Sequence, residues 1–126
     1  MSFDALCRRV LECDTSMRSV RIADGLGRVA GSAYRSDLAH MNDDEAEAYS
    51  LQSVIRAMMR ENFLLTNGRL RYSVSVYENL TRATVPLGQD GAKFYLLVSL
   101  EAGADAHAVI GRVLAIIADV FSIKIG

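Results

Sequence analysis

The chain has one proline, two cysteines and two histidines among its 126 residues, and a net charge of −1. Each shortage excludes something. Nucleic-acid modules are usually clearly basic, so a near-neutral chain argues against a general phosphate-binding surface. Cys7 and Cys13 fall six apart in one predicted helix and cannot bridge each other there, so reduced thiols of a cytoplasmic protein are expected. A Cys-x5-Cys spacing without a nearby His fits no zinc pattern. No apolar run reaches the ~18 residues of a membrane span, and charges are spread through Met1–Asp14 where a leader would carry an apolar core. No phosphate-loop Lys-Ser/Thr motif and no GxGxxG after a strand is present, so the glycine clusters read as turns.

What is there is ordinary globular material: 51% hydrophobic and 23% charged, enough apolar surface for one core in one domain spanning 1–126. Charge is unevenly placed. Residues 1–51 hold six Arg against nine Asp/Glu, and residues 52–93 hold six Lys/Arg against three Asp/Glu.

Periodicity gives the element order. Phe3, Leu6, Cys7, Val10 and Leu11 recur at helical spacing over 3–13, with Ser2 as N-cap. Met17–Asp24 alternates, DGLG reverses the chain, and Arg28–Tyr34 returns as an edge strand. Asn42 caps a long helix over 42–63, whose first turn holds Asp43, Asp44 and Glu45, with Glu47 close behind. That cluster lacks a calcium-loop pattern and is explained by the positive helix end. In this helix Ala48, Leu51, Val54, Ile55, Met58 and Met59 form one arc, expected to face the sheet and a twin helix. Tyr49, Ser53, Arg56 and Arg60 form the opposite, outward side. Arg69–Glu78 alternates as a strand, Leu80–Leu87 is its partner with Pro86 near the end, and Lys93–Glu101 is apolar on both faces and therefore central. Ala106, Ile110, Val113, Leu114, Ile117, Val120 and Phe121 form the wide apolar face of the last helix. The order α-β-β-α-β-β-β-α predicts an α+β, αβα sandwich: five antiparallel strands covered by two helices on one face and one on the other.

No acid–base or nucleophile constellation emerges. His40 and His107 are the only imidazoles. His107, beside Asp105 at the start of the last helix, has no serine or cysteine spaced to complete a nucleophilic site. Neither catalysis nor a metal or cofactor is expected. Tyr49, Ser53, Arg56 and Arg60 stand out because Tyr and Arg are enriched at interface hot spots; the competing reading is a solvated face with arginines lying over apolar neighbours.

Three stretches carry a family resemblance: LCRRVLECDTSMRSVRIADGLGRVAGS (6–32), SLQSVIRAMMRENFLLTNGRLRYSVSVYENL (50–80) and KFYLLVSLEAGADAHAVIGRVL (93–114). With the element order, they resemble the roadblock/dynein light chain family of the longin- or profilin-like αβα sandwiches, and within it the roadblock-like proteins of archaea. The resemblance implies a sheet order of 2-1-5-4-3, with the central helix on one face and the first and last helices on the other. It also implies a homodimer that pairs third strands and central helices through Arg69, Arg71, Ser73, Ser75, Met58 and Met59. Members typically regulate or scaffold small Ras-like GTPases without being hydrolases, which makes Tyr49, Ser53, Arg56 and Arg60 the expected partner contacts. A small-molecule sensor or a purely structural dimerisation module is the alternative. Neither nucleic acid nor direct membrane insertion is expected.

Overall fold

A computed structural model describes residues 2–35, 43–61, 63–89 and 91–121. Helix α1 (Phe3–Glu12) starts where the Ser2 side chain accepts a hydrogen bond from the Ala5 N–H at 3.1 Å, and it buries Leu6, Cys7, Val10 and Leu11. Burial pushes the Cys7 thiol up to about 12, which suits a small core residue rather than a reactive one. Strands β1 (Met17–Asp24) and β2 (Val29–Tyr34) form a hairpin with a register shift between Ile22 and Ala23. Asp24 holds its turn by accepting from the Leu26 and Arg28 N–H groups at 2.9 and 3.0 Å.

Helix α2 (Asp43–Glu61) is followed by a single helical turn, α3 (Leu64–Asn67), which periodicity does not announce. Strands β3 (Ser73–Val76), β4 (Leu80–Gln89) and β5 (Ala92–Glu101) and helix α4 (Ala106–Phe121) complete the chain. The sheet order is β2-β1-β5-β4-β3, antiparallel throughout. The expected α+β sandwich and its 2-1-5-4-3 order are therefore present. Asn42 and His40 lie outside the described residues.

One strand is shorter than its alternation suggests. The reading of Arg69–Glu78 as a strand shrinks to Ser73–Val76. Leu70 packs on the α2 side of the sheet and Tyr72 on the other, so the pleat does not extend back through them. Tyr72 instead meets α4, its hydroxyl 2.6 Å from His107 Nδ1. Because β3 pairs with β4 only as far as Thr84, Pro86 sits where β4 has β5 as its sole strand neighbour, and its missing N–H disrupts no second ladder.

The two faces of the sheet are unequal. Val20, Ile22, Ala83, Val85, Leu96, Val98 and Leu100 point to one face and pack with α1 and α4 into the larger core. Asp14 ties that layer together. Its carboxylate accepts from the Ser16 N–H at 2.8 Å and the Ser16 hydroxyl at 2.6 Å, and it pairs with Arg112 of α4. The Ser16 hydrogen bonds, then Arg112, hold this carboxyl below its ordinary value of 3.8. Arg35 donates to the carbonyls of Leu11, Asp14 and Met17 at 2.8–3.0 Å, satisfying the end of α1.

This frame can be tested at two points. A carboxyl depressed in the folded state stabilises above its unfolded pKa, and that contribution is lost as pH falls through the folded value. Asp14→Ala should therefore cost about 1 kcal/mol at pH 7, and its urea-unfolding stability should fall less steeply than wild type below about pH 4. Gly27 and Gly68 both have positive φ (83° and 78°), but a Cβ on Gly27 would lie 2.7 Å from the Leu51 Cα, while one on Gly68 meets nothing within 4 Å. Both alanine substitutions carry the left-handed penalty of roughly 1–2 kcal/mol. Gly27→Ala should cost about 1–3 kcal/mol more, from overpacking, read from urea midpoints.

Candidate functional site

The face of the sheet under α2 is polar. In register, Ser19 pairs with Ser99, Arg21 with Leu97, Ala23 with Tyr95, and Arg82 with Ser99, so all of these project toward one side. The Ser19 and Ser99 hydroxyls are 2.5 Å apart. Arg21 is only 2% exposed; its guanidinium carbon lies 5.2 Å from the Tyr34 ring centroid and its Nε has no hydrogen-bond partner. Ala23, Val54, Ala57, Tyr95 and Leu97 form the small apolar core between helix and sheet, with Leu70 packed against it.

Large groups already fill this floor, so α2 approaches it with small ones. Its buried positions are Ala46, Ser50, Ser53, Val54 and Ala57. The larger apolar residues face away: Leu51, Ile55, Met58 and Met59 are all exposed, Met59 to 62%. This rotates the helix away from its expected orientation. Of the arc expected to face the sheet, Ala48, Leu51, Ile55, Met58 and Met59 are exposed and only Val54 is buried. Ser53 is not outward but 3% exposed, its hydroxyl donating to the Tyr49 carbonyl at 2.9 Å. Tyr49 is half-buried, with the Arg82 guanidinium 4.0 Å over its ring. Arg56 is half-buried and Arg60 exposed. The tetrad Tyr49, Ser53, Arg56 and Arg60 is thus a flank of α2 running down to the sheet, not its outer surface. A sequence signal for the true orientation exists: Ala46, Ser50, Ser53 and Ala57 recur at i, i+4, i+7 and i+11, a small-residue stripe that permits close packing.

The two flanks of α2 look in different directions. Leu51 abuts Gly27 at the tip of the β1–β2 hairpin. Tyr49 abuts Arg82 of β4, and Arg56, Met59, Arg60 and Phe63 wall an open cavity of about 590 Å³ with Arg69 and Arg71 on the chain entering β3. The arginine flank therefore looks toward the β3 edge of the sheet, and Met58, on the Leu51 side, looks away from it. Ser73 and Ser75 lie half-buried on β3, while Arg69 and Arg71 are exposed and precede it. At the helix end, Glu61 accepts from Lys93 at 2.9 Å and from the Tyr95 hydroxyl at 3.4 Å. That hydrogen bond and charge raise the Lys93 pKa, and burial followed by the Glu61 charge raises that of Tyr95.

Among the described residues, no group of three or more His, Cys, Asp or Glu side chains could hold a metal ion, and no helix is long and apolar enough to cross a membrane. His107 is exposed and engaged with Tyr72. The site offers contact surface: an apolar strip, a cationic cavity and a short sheet edge. The orientation of α2 is testable. Met59→Ala should change stability by less than about 0.5 kcal/mol, where a sheet-facing methionine would cost roughly 2–5 kcal/mol. Ala57→Leu should cost about 1–3 kcal/mol, both read by urea denaturation.

No protein-family model and no curated protein matches the chain. Solved structures do match it along nearly its whole length. It superposes on a Roadblock/LC7 domain from Streptomyces avermitilis with a TM-score of 0.73 at 14% identity, covering 95% of each chain. The gliding protein MglB from Thermus thermophilus gives a TM-score of 0.73 at 15% identity, covering 97% of this chain and 93% of that one. MglB of Myxococcus xanthus gives 0.71 at 11% identity, with 95% and 94% covered. These sources are bacterial, so they lend no support to the archaeal part of the resemblance. At such identities the likeness is one of architecture: the chain has the fold of a Roadblock/LC7 domain.

Proposed function

We propose that this chain is a non-catalytic, cytoplasmic, homodimeric roadblock-like module that binds, regulates or scaffolds a small Ras-like GTPase. The observation that carries the reading is the outward apolar strip Leu51, Ile55, Met58 and Met59 on α2. Isolated exposed apolar residues are ordinary; a row of four along one helix marks a surface that a partner covers. The Roadblock/LC7 fold supports a GTPase as that partner, and one of the similar structures is described as MglB in a tetrameric arrangement, which supports self-association.

The flanks of α2 divide the proposed work. The β3 edge has unpaired backbone groups on its outer side, and pairing with its own copy satisfies them in an isologous contact. Ser73, Ser75, Arg69 and Arg71, with the Tyr49–Arg56 flank, then lie at the dimer seam. Met58 moves from the seam to the GTPase seat, because it looks away from β3. Met59, at the crest, borders both, and Arg60 is the charged margin of the seat. Ser53 is withdrawn from the contact set by its burial.

Light scattering on the purified protein at micromolar concentration should give twice the monomer mass of 13.8 kDa; a monomer overturns the dimer. Wild-type protein should retain a small GTPase from its native lysate in a nucleotide-dependent manner when GTPγS and GDP are compared. Ile55→Glu combined with Met58→Glu should abolish that retention with dimer mass and melting temperature nearly unchanged. Retention undiminished in the double variant would remove the strip as the seat.

A further inference from the structure

The cavity at the end of α2 is walled by charge of one sign. Arg56, Arg60, Arg69 and Arg71 line it beside Met59 and Phe63, and no acidic residue is among its described lining. Elsewhere on the surface arginines are met by carboxylates: Arg9 by Asp119, Arg18 by Glu101 and Arg112 by Asp14. Glu61, the last acidic residue of α2, is engaged by Lys93 and by the Tyr95 hydroxyl.

Helix electrostatics accounts for one of the four arginines. Arg60 stands in the last turn of α2, where a cation opposes the negative end of the helix dipole. Arg56 lies a full turn earlier, and two cations at i and i+4 repel each other. Arg69 and Arg71 are off the helix, beyond Gly68, whose φ of 78° follows the single turn of α3. Leu70 packs against the small core under α2, and the arginines on either side of it both reach the cavity. The fold thus gathers cations from two segments of chain, against their mutual repulsion, around open space. That space, about 590 Å³, has the size of a small-molecule pocket.

The chemistry selects the ligand. A guanidinium presents a planar fork of N–H donors that matches phosphate oxygens in pairs. A carboxylate brings a single negative charge, whereas a phosphate monoester brings about 1.5 to 2 at pH 7. Two phosphate groups on one ligand therefore balance the guanidiniums of Arg56, Arg60 and Arg71, and Arg69 lines the same space. Met59 and Phe63 give an apolar wall for the rest of the ligand. We propose that this cavity binds a small ligand carrying two phosphate groups, held by Arg56, Arg60 and Arg71 against Met59 and Phe63. All of these residues belong to one copy, so the site depends neither on the dimer nor on the GTPase partner read above.

The probe is inorganic pyrophosphate, titrated calorimetrically into the full-length protein. One pyrophosphate should bind per chain, at least about tenfold more tightly than orthophosphate, and its affinity should fall as sodium chloride rises. Arg56→Gln/Arg71→Gln should weaken binding by about tenfold or more, since two charge-assisted pairs are lost. Arg56→Lys/Arg71→Lys keeps both charges without the forks and should recover only part of that loss. Arg28→Gln, on the β1–β2 hairpin, should leave binding unchanged, and circular dichroism checks the fold of each variant. Vesicles of phosphatidylcholine containing phosphatidylinositol bisphosphate separate two sources of the same chemistry. Retention on them that pyrophosphate competes away identifies a lipid headgroup; pyrophosphate binding without retention identifies a soluble phosphate compound. The site is overturned by the absence of saturable binding, by orthophosphate or chloride binding as tightly as pyrophosphate, or by undiminished binding in folded Arg56→Gln/Arg71→Gln. Light scattering on the same samples keeps this separate from self-association: a monomer that binds pyrophosphate overturns the dimer and leaves the site standing.

Discussion

The seating of α2 on Tyr95, Leu97 and Ala23, with Arg82 over Tyr49, governs the rest of this molecule. The side that α2 buries there carries Ala46, Ser50, Ser53, Val54 and Ala57, none of them larger than valine. Once the helix is turned small side down, Leu51, Ile55, Met58 and Met59 have nowhere to go but outward. Covering them would contribute on the order of 1 kcal/mol for each half-exposed side chain. The fold leaves that apolar area uncovered on α2. The packing beneath α2 and the exposure of its apolar strip are therefore two results of one steric constraint.

The opposite face shows no such reserve. Leu6, Val10, Val20, Ile22, Leu96, Val98, Ile110 and Val113 are wholly or almost wholly buried between sheet and paired helices α1 and α4, which are joined at the surface by Arg9 and Asp119 at 3.0 Å. Stability is concentrated there. Among the described residues, the α2 side has a core of Ala23, Val54, Ala57, Tyr95 and Leu97 and a buried arginine whose Nε is unsatisfied. A buried polar group without a partner costs about 1–3 kcal/mol, which the thick hydrophobic layer behind the sheet has to offset. The thicker core thus lies behind the sheet, and the exposed apolar strip lies in front of it.

Much of the architecture was legible in the residues because the elements differ in period. Lys93–Glu101 reads as central from its two-faced apolarity, and β5 has strand neighbours on both sides; Leu6, Cys7, Val10 and Leu11 read as one helical stripe and bury as one. The orientation of α2 was not legible by hydrophobicity, since that criterion assumes the larger apolar arc faces the core. Here the core-facing arc is the smaller one, and the polar face of β1 and β4 that demands it becomes visible only when Arg21 and Arg82 are placed in register. The long alternation from Leu70 to Val76 misled for a related reason. Period two is satisfied by residues that fall on different sides once the chain leaves the sheet, as Leu70 and Tyr72 do. At the candidate site the helix was legible, and the rotation that sets which of its sides is buried was not.

The charge split of the sequence acquires a meaning from this geometry. The boundary between its acidic first part and its basic middle falls inside α2, so the helix carries carboxylates at its start and arginines toward its end. Both placements favour the isolated helix, because each charge opposes the macrodipole end nearest to it. They also suit an antiparallel neighbour, whose dipole and end charges are reversed. A charge pattern that stabilises a helix by itself is thus also complementary to an antiparallel copy of that helix.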